Sequence, residues 1–193
     1  MGKRTKNFIT GLSITMFFGF LFGYIIYGNS IFVPNLTTFS ITIAAITGSI
    51  FFWTMVAYDL KVAVLAQLFL LIALFVIFKR SVNIHFIILE SLLFLSITAS
   101  IYINYIFFAP RIKQVFLPFT LPVLIIVFSA IALTINYTYI VITTSRVNDL
   151  NLMLKVIVIE IVQNEVLGLG LGIGIFVSCK FLKKNSYIEK GNK

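Results

Sequence analysis

Charge is scarce in this 193-residue chain, and acid is scarcer than base. Six Asp and Glu stand against 15 Lys and Arg, and charged residues make up 11% of the whole. Globular domains carry about 25%. So little charge cannot solvate the surface of a soluble fold, which excludes a soluble enzyme or binding domain. A single cysteine, Cys179, excludes an intramolecular disulfide and reads as a small buried hydrophobe. One cysteine and one histidine, His85, cannot make a usual zinc or haem site. The chain also lacks a Gly-rich phosphate loop, a Ser/His/Asp set and an HExxH motif. No catalytic centre and no cofactor are therefore expected within it. No polar stretch is long enough to form a soluble segment, so the basic residues do not point to nucleic acid.

What the chain has is hydrophobicity. Sixty per cent of its residues are apolar, and its mean hydropathy is +1.08. This excludes disorder, which needs few hydrophobes and much charge. It implies an all-α polytopic membrane protein, multi-pass in the cell membrane, with the lipid bilayer as its first partner. A spanning helix needs about 20 apolar residues. Six runs qualify, at about 8–28, 39–58, 62–78, 84–108, 115–143 and 153–182, forming one bundle within a single domain, 1–193. The basic start, Lys3-Arg4-Thr5-Lys6, resembles the n-region of a secretory signal. The run behind it is long enough to span and no small-residue cleavage site follows, so a retained first helix is expected. Lys6 breaks the myristoylation pattern. The fifth run is overlong and has Pro118 and Pro122 near its start, so a tilted, kinked helix or a partly re-entrant segment is expected there.

Six spans put both termini on one side. Lys3, Arg4, Lys6, Lys61, Arg111, Lys113 and the lysines from Lys180 onward fall on that side. Lys79, Arg80, Arg146 and Lys155 fall on the other. The bias places both termini in the cytoplasm.

Ionisable residues inside spans cost roughly 2.5–3.5 kcal/mol on insertion scales, so each calls for a partner or a water-filled path. Asp59, Asp149 and Glu189 fall at run ends or in the tail, whereas Glu90, Glu160 and Glu165 fall inside runs. Residues three and four apart share a helix face, so Glu160, Gln163 and Asn164 form one polar patch. Glu165, about 140° further round the helix at 100° per residue, faces another neighbour. Gly168, Gly170, Gly172 and Gly174 follow as two small-xxx-small pairs suited to close helix packing. Lys113, at the mouth of the fifth run, joins Glu160, Glu90, Asn164, Gln163 and Glu165 as a candidate in a proton or ion path. Gln67, Asn136 and Trp53 carry no signal individually; Trp53 suits either an interfacial belt or the core. Tyr102, Tyr105, Tyr137 and Tyr139 suit an interfacial belt.

The stretch Arg146 to Gly170 resembles the signature of subunit K of NADH–quinone oxidoreductase, its relatives in Mrp-type cation antiporters, and component E of hydrogenase-4-type complexes. In this chain Asn151-Leu152 leads to Ile159-Glu160, then Asn164 and Val166. Leu74 to Ile77, Glu90-Ser91, Ser96 and the Lys113-to-Pro118 segment look like further parts of component E. The resemblance implies a non-catalytic membrane subunit of an energy-transducing complex, with other membrane subunits as partners. Glu160 would then be the proton carrier, Asn164 its polar neighbour and Lys113 a second relay. The chain departs from the pattern in lacking the family's final helix, in having Gln163 for a carboxylate, and in having Glu165 where a small residue is usual. A second likeness, Glu90 to Ser100, is to a helix of haem–copper oxidase subunit III, whose histidine motifs are absent. The alternatives are a stand-alone transporter of a small solute or ion, and a membrane scaffold or interaction protein.

Overall fold

A computed structural model of the chain describes residues 2–27, 34–78, 84–108, 111, 116–144 and 150–182. Among these residues there is no strand. Six helices follow in order: α1 (Lys3–Tyr27), α2 (Pro34–Ala57), α3 (Leu60–Phe78), α4 (Ile84–Ile103), α5 (Leu117–Thr144) and α6 (Leu150–Phe181). A π-helical turn, Asn104–Phe108, extends α4. Three of the helices, α1, α5 and α4 with its π turn, carry segments long and apolar enough to cross a membrane: Arg4–Tyr24, Ser91–Phe108 and Pro118–Tyr139.

Local chemistry sets several of the ends. Pro34 opens α2 at the position where its missing N–H costs nothing. Asp59 caps α3, its Oδ1 accepting from the Val62 N–H at 2.8 Å. At the other side of that joint, the Arg4 guanidinium donates to the Ala57 carbonyl at the end of α2 and lies 4.6 Å from the centre of the Tyr58 ring. α1 therefore begins at Lys3, ahead of its apolar run, because Arg4 has a partner there. α5 is one continuous helix of 28 residues with Pro122 inside it. At about 42 Å it exceeds a ~30 Å hydrocarbon core.

α1, α2, α4, α5 and α6 form a closed ring in which each packs on two ring neighbours, and α6 returns to α1. α3 lies outside the ring against α2 and grazes α4. The centre of the ring is apolar: Leu171 on α6 sits among Gly48, Ile97 and Ile101, and beside Gly19. Leu121, Ile125, Leu167 and Leu171 are fully enclosed.

The ring closes because α6 lacks side chains on two faces. A Cβ at Gly172 would lie 2.7 Å from the Pro118 carbonyl oxygen, and one at Gly168 would lie 2.7 Å from Ile125 Cδ1 and 3.2 Å from Pro122 Cα. A Cβ at Gly170 would lie 2.6 Å from the Phe18 carbonyl oxygen, and one at Gly174 would lie 2.8 Å from Thr15 Cα. The pair 168/172 thus meets α5, and the pair 170/174 meets α1. Pro122 has no N–H to offer the Pro118 carbonyl one turn back. Gly172 lets the α6 backbone approach that freed oxygen, a geometry suited to a weak Cα–H···O contact. Gly172→Val should force α5 and α6 apart and cost about 1–3 kcal/mol. A lowered thermal midpoint in detergent would show it. Gly2→Val, whose new side chain would meet nothing within 4 Å, should leave the midpoint unchanged.

Candidate functional site

The outer faces are strongly apolar, while the interior mixes apolar side chains with polar ones. On α5, Phe119, Val123, Val127, Ile131 and Ile135 form an outward apolar line, one residue every fourth position. α3 exposes Leu65, Leu68, Phe69, Ile72, Phe75 and Val76, with Phe69 at 73% exposure. Inside are hydroxyls and amides: Thr15, Thr47, Ser49, Gln67, Ser96, Ser100, Ser129, Asn136 and Ser178 are all buried.

Several of these polar groups fasten one helix to the next. Trp53 Nε1 donates to Thr15 Oγ1 at 2.9 Å, joining α2 to α1. Thr15 Oγ1 donates to the Gly11 carbonyl at 2.9 Å and lies 3.4 Å from Ser178 Oγ on α6. The Trp53 ring occupies the space a side chain at Gly11 would need. Trp53 is thus core and not an interfacial belt residue. Gln67 Nε2 donates to the Thr47 carbonyl at 2.8 Å, holding α3 on α2. The Ser96 hydroxyl lies 2.8 Å from the Leu92 carbonyl and 3.1 Å from the Phe128 carbonyl of α5. Thr120 Oγ1 donates to Asn104 Oδ1 at 2.7 Å, fixing the π turn to α5.

Charge is segregated. Arg4, Lys6, Lys61, Arg111 and Lys180 are all exposed. They lie at the end of the ring where the start of α1, the α2–α3 joint, the π turn and the end of α6 meet. Tyr58 and Phe8 pack edge to face there at 6.1 Å, and Phe52 packs on Tyr105 at 6.1 Å. The opposite end, around Tyr24, Thr42 and Tyr139, shows no charged group among the described side chains.

The candidates from the sequence are placed as follows. Glu160, Gln163 and Asn164 sit on α6 and Glu90 on α4, with their side chains outside the described residues. Lys113 lies outside the described residues altogether. Glu165 on α6 is half-buried. The helical register adds order. At 100° per residue, position 165 continues the Gly172–Gly168 line that meets α5. Position 163 continues the Gly174–Gly170 line that meets α1. Positions 160 and 164 continue the line of Leu171 and Leu167, the residues turned to the ring centre.

Asn136, without signal in the sequence by itself, and Ser129 are buried polar residues of α5. Ser129 is fully buried and Asn136 is 7% exposed, and neither Ser129 Oγ nor Asn136 Oδ1 has a hydrogen-bond partner. The available signal was their place in the 4-3-4-3-4 spacing Pro118, Pro122, Ile125, Ser129, Ala132, Asn136, one buried face read through its apolar members.

The Trp53–Thr15–Ser178 junction ties three helices at one level. Thr15→Val keeps the shape and removes the acceptor, leaving the indole N–H buried and unpaired at a cost of about 1–3 kcal/mol. Denaturation monitored by Trp53 fluorescence should show the loss, and Thr15→Ser should retain most of the stability. Compared with known protein families, curated proteins and solved structures, the chain finds no match in any of the three.

Proposed function

We propose that this chain is a multi-pass protein of the cell membrane, with six spans and both termini in the cytoplasm. In this reading it is a non-catalytic subunit of a multi-subunit energy-transducing complex, and it carries a proton or ion path along α6. The membrane reading is supported by the apolar outer faces of α1, α3 and α5 and by the hydroxyls and amides buried among the apolar residues of the interior. In water each Å² of those faces would forgo about 25 cal/mol of hydrophobic stabilisation; against acyl chains no such loss arises. The gathering of the described cations at the end shared by α1 and α6 supports the orientation.

One observation carries the path. By helical periodicity, positions 160 and 164 continue the α6 line that passes through Leu171 and Leu167 at the ring centre. Glu160 is the carrier in this reading and Asn164 its polar neighbour. Glu90 on α4 and Lys113 before α5 are further relay candidates.

A self-contained transporter is the second reading, favoured by the way α6 closes the ring onto α1 without help from another chain. Purification of the native protein in mild detergent separates the two. Stoichiometric co-purifying membrane subunits are expected, and a monodisperse chain without partners would move the assignment to the transporter. In the assembled complex, Glu160→Gln should lower proton transfer at least tenfold with subunit composition unchanged. Undiminished transfer would remove Glu160 from the path.

A further inference from the structure

Two arginines at the charged end are held in the same way. Arg4 Nε donates to the Ala57 carbonyl at the end of α2, and its guanidinium lies 4.6 Å from the centre of the Tyr58 ring. Arg111 Nη1 donates to the Phe107 carbonyl of the π turn at 2.8 Å, and its guanidinium lies 5.7 Å from the centre of the Phe107 ring. One carbonyl and one aromatic ring thus fix each fork. A guanidinium carries five N–H donors, and each of these bonds uses one. Both side chains are exposed, so donors remain for a group arriving from outside.

Aromatic residues mark the level of these arginines. Tyr58, Phe107, Phe116 and Phe181 are all exposed. They stand just after α2, in the π turn, just before α5 and at the end of α6, the element ends that meet there. An apolar outer wall that ends in exposed aromatics interleaved with cations fits a membrane–water interface. Charge at that level is one-sided. Arg4, Lys6, Lys61, Arg111 and Lys180 are exposed. The described carboxylate at that end, Asp59, has Oδ1 committed to the Val62 N–H at 2.8 Å. A phospholipid with an anionic headgroup uses both features at once, its phosphate at the level of the arginines and its chains along the apolar wall.

We infer that Arg4 and Arg111 are headgroup anchors, which hold anionic phospholipids of the adjoining leaflet against the charged end of the bundle. A planar fork meets a phosphate through two parallel hydrogen bonds, whereas a lysine ammonium acts as a point charge. The ring and the carbonyl hold each fork in place beforehand, so less freedom is lost on binding. Lys6, Lys61 and Lys180 add attraction that depends on charge alone and is screened by salt. In phosphatidylcholine the choline offsets the phosphate charge. In phosphatidylglycerol nothing offsets it, so the anionic lipid is preferred. The inference deepens the proposed membrane reading and rests on it for the setting of the bundle in lipid. It is independent of the proton path.

The test is the lipid selectivity of the full chain reconstituted into phosphatidylcholine vesicles. These carry a trace of spin-labelled phosphatidylglycerol or spin-labelled phosphatidylcholine. Electron paramagnetic resonance separates lipid held at the protein from bulk lipid. A preference of about fivefold for the labelled phosphatidylglycerol is expected, on the order of one well-held cation at an anionic surface. It should persist in about 1 M salt, where the Debye length is ~3 Å. Arg4→Lys combined with Arg111→Lys keeps the formal charge and should abolish the preference at that salt. Lys6→Gln combined with Lys61→Gln should leave it in place. Arg111→Lys, on the exposed π turn, decides the matter alone by roughly halving the preference if the Arg4 variant does not fold. Equal association of both lipids with the native chain, or a preference untouched by the arginine changes, would overturn the anchors. Alkaline carbonate extraction keeps the two readings apart. A chain stripped from the vesicles overturns the membrane reading and the anchors with it, and a chain that stays without lipid preference overturns the anchors alone.

Discussion

The close approach of α6 to two helices at once governs the rest of the bundle. Gly168 and Gly172 admit the backbone and side chains of α5, while Gly170 and Gly174 admit α1. Neither face has a side chain to hold the neighbour off. With no hydrophobic drive between helices in lipid, association depends on van der Waals contact and hydrogen bonds, and small residues maximise the first. Because the two pairs face opposite ways, one helix bridges two others and the ring closes. Leu171 then has nowhere to go but the centre, where Gly48 makes room for it.

The same economy governs the polar groups. The bundle spends its buried hydroxyls and amides on short bonds between helices: Trp53 to Thr15, Gln67 to the Thr47 carbonyl, Thr120 to Asn104. These bonds pin the half of the bundle nearest the exposed cations. That half is also where the core is most apolar, around Leu121, Ile101 and Leu171. Four buried polar atoms are left without a partner among the described residues, Ser49 Oγ and Gln67 Oε1 as well as Ser129 Oγ and Asn136 Oδ1 of α5.

Much of the helical content was legible because apolar runs of spanning length leave the backbone few ways to satisfy its own polar groups. The glycine pairs were legible too, since a spacing of four on a helix defines a face without knowledge of the partner. The partners were not: nothing local says that Gly172 would meet Pro118 or that Gly170 would meet Phe18. The fifth run was ambiguous because two prolines permit both a kink and a break. Packing against Gly172 and Gly168 is what accommodates them within one helix. Trp53 was ambiguous for a similar reason, as an indole suits a core or an interface, and the acceptor on Thr15 decided it.

Composition and periodicity determined by themselves that this chain is helical and strongly apolar, and that its ionisable residues inside apolar runs are few and confined to Glu90, Glu160 and Glu165. These properties follow from residue types and their spacing along one helix. Only the tertiary structure decided which faces of α6 meet α1 and α5, and that α3 stands outside the ring. It alone brought out Ser129 and Asn136. Whether a buried polar atom has a partner depends on the atoms of neighbouring helices, and those are set by register and close approach across the bundle, which no local pattern encodes.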